Sequence, residues 1–126
     1  MKYKIDVVRI RENSIELNGW VIGKTPQSRA EFQVQDGNRE PVEFRYVATR
    51  RDDVSQIYYK QVYDRDYGFD IRFPYTRGAD YWLLIRCDGK TARIKFNEEL
   101  IAKRASVAHK RMEKIRDLMN METVRV

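Results

Sequence analysis

The sequence predicts an all-β fold: an antiparallel β-sandwich of about seven strands, immunoglobulin-like or jelly-roll-like, followed by a C-terminal α-helix. Three observations carry that expectation. Short segments alternating apolar and polar residues recur through the first 96 residues, and turn-forming clusters separate them. From Asn97 the apolar spacing switches to fours and threes, as on one face of a helix.

Residues 3–11, YKIDVVRIR, and 14–23, SIELNGWVIG, flank Glu12-Asn13, a tight hairpin by its length. Residues 30–36, AEFQVQD, place Phe32 and Val34 on one face. The turn-rich DGNREP then leads into residues 42–48, VEFRYVA, with Val42, Phe44 and Tyr46 on a common face, so a second hairpin is expected. In GFDIRFPY, Phe69, Ile71 and Phe73 alternate with Asp70 and Arg72. DYWLLIRCD and TARIKF, joined through Asp88-Gly89-Lys90, form a third hairpin that buries Ala92, Ile94 and Phe96.

One register needs a decision. In SIELNGWVIG, Ile15 and Leu17 take one face, while Trp20 and Ile22 share the parity of Glu16 and Asn18. Strict alternation puts two large apolar groups in water. A bulge at Gly19 removes the conflict and turns Trp20 into the core, with Tyr81, Leu83 and Ile85 of the opposite sheet as its expected companions. Trp82, on the other parity, is the expected exposed or interface aromatic.

Residues 50–66, RRDDVSQIYYKQVYDRD, are too long for a hairpin turn and too aromatic for a linker. Asp52 or Asp53 is placed to cap a short helix whose Val54, Ile57 and Tyr58 face the sandwich. The segment reads either as a crossover plugging one end of the core or as a ligand-binding loop. The domain division is therefore a sandwich over residues 1–96 and an amphipathic helix over 97–126, reading as a linker toward a further domain. Asn97 is a good N-cap, and Phe96 can staple to Ile101. The stripe Ile101, Ala105, Ala108, Met112, Ile115 and Met119 is an interface in waiting, for the sandwich, a following domain or a second copy in a homodimer. An ending in METVRV, with no polar or Gly-rich tail, has the pattern of a piece cut from a longer protein.

Composition narrows the function classes. Among 126 residues there are 25 Lys and Arg, 19 Asp and Glu, one His and one Cys. A single Cys87 excludes an internal disulfide and paired-cysteine zinc sites, and fits a reducing compartment. A single His109 disfavours His-based metal sites and Ser-His or Cys-His catalysis within the chain. A net charge of +6 permits an anionic partner. With acids interspersed among the bases and no basic-aromatic repeat, nucleic acid is the weakest of the partner classes. No apolar run reaches the ~18 residues of a membrane helix, and no signal-peptide core is present, so a cytoplasmic location is expected.

Four short motifs together resemble a known module: the opening YKID strand, I-x-L-x-G-W (Ile15, Leu17, Gly19, Trp20), R-x-D-V near Arg50 to Val54, and G-F-x-I (Gly68, Phe69, Ile71), followed by a basic helix. The combination resembles the non-catalytic N-terminal β-sandwich that precedes the catalytic domain in some bacterial family 2 glycosyltransferases building surface polysaccharides. In R-R-D-D-V either Arg50 or Arg51 can hold the motif's arginine.

The resemblance implies an accessory domain without enzymatic activity or cofactor of its own. It also implies a catalytic glycosyltransferase domain as partner in the same polypeptide, at the inner face of the membrane. Asp64-Arg65-Asp66 has the D-x-D form with which such transferases hold a divalent cation, but it lacks the preceding α/β nucleotide-binding unit, so no metal or catalytic role is assigned to it. Two readings remain open. One is carbohydrate binding, with Arg50, Arg51, Asp53, Tyr58, Tyr59, Tyr63 and Trp82 supplying aromatic faces and polar groups. The other is a purely structural or oligomerisation domain with no ligand of its own.

Overall fold

A computed structural model describes residues 1–104. Eight strands form two antiparallel four-stranded sheets. The first sheet contains β1 (Lys2–Arg11), β2 (Ser14–Ile22), β6 (Gly68–Pro74) and β5 (Arg45–Thr49), in the order β1-β2-β6-β5. The second contains β4 (Pro41–Val42), β3 (Ala30–Asp36), β7 (Tyr81–Cys87) and β8 (Lys90–Phe96), in the order β4-β3-β7-β8. That is the strand order of an immunoglobulin-like sandwich, which decides against the jelly-roll alternative. Tyr81, at the start of β7, accepts a hydrogen bond of 2.8 Å from the Thr76 N–H upstream, in the manner of the tyrosine corner of such folds.

The expected seven strands become eight because VEFRYVA is not one strand. Val42 pairs with Val34 in the second sheet, and after Glu43 and Phe44 the chain crosses to the first sheet, where Arg45–Thr49 pairs with β6. Val42 and Phe44 still pack against the main core. The other hairpins form as the turn residues dictate. Asp88 and Gly89, with φ of 53° and 76°, make the two-residue turn of β7 and β8. Asp36 Oδ1 accepts from the N–H groups of Asn38 and Glu40 and closes the turn between β3 and β4.

The main core lies between the sheets and contains Ile15, Leu17 and Val21 of β2, Phe69, Ile71 and Phe73 of β6, Leu83 and Ile85 of β7, and Phe96 of β8. The first helical turn after Asn97 is fixed to it. Asn97 Oδ1 accepts from the Leu100 N–H at 2.9 Å, as an N-cap should, and Ile101 is buried in the same cluster as Phe96. Of the stripe expected to form an interface, Ala105, Ala108, Met112, Ile115 and Met119 lie outside the described residues.

The register at Trp20 resolves differently from the expectation. Strand β2 keeps strict alternation and pairs with β6 without a shift from Ser14↔Pro74 to Trp20↔Gly68. The irregularity sits on β1, between Ile5 and Val7, where Asp6 is the extra residue. Trp20 is nevertheless 7% exposed, because the outer face of the sheet is covered. The cover is α1 (Asp52–Tyr59) with the segment that follows it; Trp20, Ile22, Val54 and Tyr67 form a second core on that face, flanked by Tyr59 and Tyr63. Tyr81, Leu83 and Ile85 belong to the main core and are not its companions. The crossover therefore covers a sheet face and does not plug an end of the sandwich.

Within α1 the N-cap is Arg51, with no side-chain cap, and Asp52 and Asp53 fall in the first turn, where they favour the helix dipole. Ile57, expected to face the sandwich, points to solvent at 60% exposure, and Tyr58 straddles the border, its ring centroid 5.1 Å from that of Trp20. Trp20→Ala should cost about 3–5 kcal/mol, as for other large buried aromatics. Chemical denaturation checks this, and a loss under about 1 kcal/mol contradicts the burial.

Candidate functional site

The residues of the sequence motifs meet at one place. Gly19 faces Phe69 and Trp20 faces Gly68 across β2 and β6, so each glycine stands opposite an aromatic of the other motif. A Cβ on Gly19 would lie 2.1 Å from the Lys4 carbonyl and 2.8 Å from the Phe69 ring. A Cβ on Gly68 would meet Thr49 Oγ1 at 2.1 Å and Arg51 Cγ at 2.7 Å. Close approach of neighbouring groups, not a turn, requires glycine at both positions. Of the two arginines, Arg51 is the one beside Gly68. It grips Asp53 with Nε and a terminal nitrogen at 3.0 and 2.9 Å, and its other terminal nitrogen donates to Asp6 on the β1 bulge at 2.7 Å. The hydrogen bonds it donates hold the Asp53 carboxyl below the usual carboxylate range, with its charge adding to the effect.

Most of the residues expected to bind carbohydrate are engaged within the chain. Arg50 donates to Asp52 and Asp64. Tyr59 donates toward the carbonyls of Gly23 at 2.8 Å and Thr25 at 3.0 Å, and its ring lies beside Tyr63 and Tyr67. Tyr58 packs on Trp20 beneath the Lys2 ammonium. Trp82 stands on the opposite sheet, half-buried, with Arg93 and Lys95 over its ring. Arg50, Arg51, Asp53, Tyr58, Tyr59 and Tyr63 therefore assemble the cover on the outer face, while Trp82 lies apart from them.

The bonds that hold the cover also shape a cleft beside it. Ser55, fully buried, donates to the Gln61 carbonyl at 2.6 Å and accepts from the Tyr63 N–H at 3.2 Å, fixing the chain after α1. Tyr67 donates to the Pro26 carbonyl at 2.9 Å, and Asp88 accepts from the Lys24 N–H at 2.7 Å and from the Ser28 hydroxyl, so the loop leading into β3 is held from two sides. Between these fixed segments and the edges of β3 and β5 lies a cleft of about 640 Å³. Phe32, Ala48 and the Tyr46 ring give it an apolar wall, and Arg29, Arg65, Asp64 and Asp66 give it polar groups. Among the described residues, Arg29 and Arg65 make no ion pair.

The cleft residues were missed in the sequence because they come from four segments that only the pairing of strands unites. Two signals were visible: Tyr46 on an apolar face, and the acid-Arg-acid triplet. Tyr46 is 46% exposed, with its ring centroid 5.2 Å from that of Phe32. Its phenol is pushed above its ordinary range, chiefly by burial and then by the Asp66 charge. Asp64 is engaged by Arg50, so the triplet does not present two free carboxylates to a cation. Among the described residues there is no cluster of three or more His, Cys, Asp or Glu placed to hold a metal ion.

Comparison with models of known protein families and with curated proteins finds no match to this chain. No described helix is long and apolar enough to cross a membrane. The electrostatics of the cleft are testable without a ligand. Asp66→Asn should bring the Tyr46 phenol part of the way back to its ordinary value, because burial, the larger cause, remains. Titration of the Tyr46 ring carbon by NMR checks this, and an unchanged midpoint shows that Asp66 does not face the ring.

Proposed function

We propose that the chain is a non-catalytic accessory module that binds a neutral saccharide in the cleft between β3 and β5. The carrying observation is the composition of that cleft. A saccharide presents apolar CH faces and rings of hydroxyls, so its site needs an aromatic wall with donors and acceptors around it. Tyr46 and Phe32 offer the wall, Arg29 and Arg65 the donors, and Asp66 the acceptor. Arg29 and Arg65 are faced in the lining by Asp66 and by Asp64, the latter shared with Arg50, so neither sign of charge dominates the cleft, which favours a neutral polar ligand over a multiply charged anion or a cation. A volume of about 640 Å³ falls within the ~300–1,000 Å³ typical of small-molecule sites.

The setting proposed for the module is a bacterial family 2 glycosyltransferase of surface polysaccharide synthesis, where it positions the acceptor or product for a catalytic domain on the same polypeptide. Support for that setting comes from the motifs that meet around Trp20 and Gly68, and from the helix that starts at a fixed point on the core through Asn97 and Ile101. A second reading, a structural module with no ligand, is favoured by one observation: Arg50, Arg51, Tyr59 and Tyr67 are all taken up by bonds within the chain.

Titration of the chain with a panel of neutral oligosaccharides, followed by amide NMR, separates the two readings. Binding should shift the amides of Ala48, Arg65 and Asp66, and Tyr46→Ala and Asp66→Asn should each weaken it about tenfold or more, with Trp82→Ala unchanged. A panel that leaves every amide unmoved supports the ligand-free reading, and shifts confined to the surroundings of Trp82 put the saccharide outside the cleft and overturn the proposed site.

A further inference from the structure

Three of the four sheet edges carry features that discourage a further strand. Strand β1 has a bulge at Asp6 and the charges of Lys2, Lys4, Arg9 and Arg11. Strand β8 carries Lys90, Arg93 and Lys95, and β4 is two residues long and begins with Pro41. Charges, bulges, proline and shortness are the ordinary means by which sheets avoid edge-to-edge pairing. Strand β5 has none of these in its interior. It reads Arg-Tyr-Val-Ala-Thr, pairs with β6 on one side, and keeps Tyr46 and Val47 at 46% and 49% exposure. Among the described residues, none of its backbone groups bonds to a loop or turn.

We infer that β5 pairs antiparallel with β5 of a second copy of this chain, joining the two first sheets into one. The sequence of the strand is complementary to itself. The only antiparallel register that pairs all five residues is centred on Val47, and it sets Val47 against Val47, the large Tyr46 against the small Ala48, and Arg45 against Thr49. No like charges oppose each other, and the bulky and small residues interleave. A symmetric dimer needs a surface that matches itself in this way.

The register has a consequence for the cleft, and this part rests on the saccharide reading. Tyr46 and Ala48 lie on the inner face of β5, opposite Ile71 and Phe69 of β6, and both line the cleft. Pairing sets the Tyr46 of each copy beside the Ala48 of the other, so the second copy adds an aromatic ring to the cleft wall. Saccharide then binds the dimer more tightly than the monomer, and by reciprocity strengthens dimerisation.

Five paired residues make a small interface, so mass should be measured by sedimentation equilibrium up to ~1 mM chain, the regime of weak interfaces. The wild type is expected to dimerise, and Val47→Lys, which sets two lysines face to face at an already exposed position, is expected to be monomeric with an unchanged thermal midpoint. Met112→Glu with Ile115→Glu should leave this dimer intact. A wild type that is monomeric throughout, a Val47→Lys variant that still dimerises, or a dimer lost only in the helix variant overturns the inference. The two claims fail separately: dimerisation without any saccharide effect retains the edge pairing and removes the cleft as a saccharide site. Saccharide binding by a chain that stays monomeric does the reverse.

Discussion

The structure depends on the packing of α1 and its tyrosine-rich continuation onto the outer face of β2 and β6. A sandwich of two four-stranded sheets needs only one apolar face per sheet, yet β2 carries Trp20 and Ile22 on its second face as well. Leaving them in water forfeits roughly 25 cal/mol for each Å² of apolar area that a cover could bury. The cover exists to meet that demand. Gly68, opposite Trp20, lets the cover come close by making room for Thr49 and Arg51, while Gly19, on the inner face, makes room for the Phe69 ring and the Lys4 carbonyl.

Magnitudes indicate what holds the cover down. The Arg51 pairs with Asp53 and Asp6 are partly exposed, with 29% of the arginine side chain in contact with solvent. Exposed pairs of this kind are typically worth ~0–1 kcal/mol each. Burial of Trp20, Ile22, Val54 and Tyr67 is the larger contribution, and the ion pairs fix the direction from which α1 approaches. The bulge on β1 has the same use, since the extra residue Asp6 is the one that reaches Arg51. Once the cover is seated, the hydroxyls of Tyr59 and Tyr67 tie it to the loop before β3, and the space left between that loop, the segment at residues 64–66 and the two strand edges is the cleft.

Much of the sandwich was legible in the sequence because a strand with one buried face writes its alternation directly into the chain. Phe69, Ile71 and Phe73 announce β6, and Asp88-Gly89 announces the turn after β7. The sheet switch between Val42 and Arg45 was not legible, since an apolar alternation that serves two sheets in succession looks like one strand. Trp20 exposed a deeper limit. Its burial was inferred for the wrong reason: alternation never failed, and the parity that pointed it outward was correct. What covers it lies more than thirty residues further on, in a segment whose tyrosines look like a ligand platform when read alone. The same aromatic composition serves a sugar site and a small core, and only placement tells them apart. Spacing alone did not distinguish the neighbouring Arg50 and Arg51, whereas the fold sets Arg51 against Gly68 and Asp53 and Arg50 against Asp52 and Asp64.

If the second core organises this end of the molecule, α1 and the chain after it must open together with the sheet beneath them. Native-state hydrogen exchange on the intact chain reads this directly, through the amides of Ser55, Lys60 and Tyr63, which bond to Arg51, Gln56 and Ser55. The account predicts that these amides are protected to a level close to those of β2 and β6, and lose protection together in Trp20→Ala. Exchange of α1 at the rate of an open loop, with β2 and β6 fully protected, would contradict it.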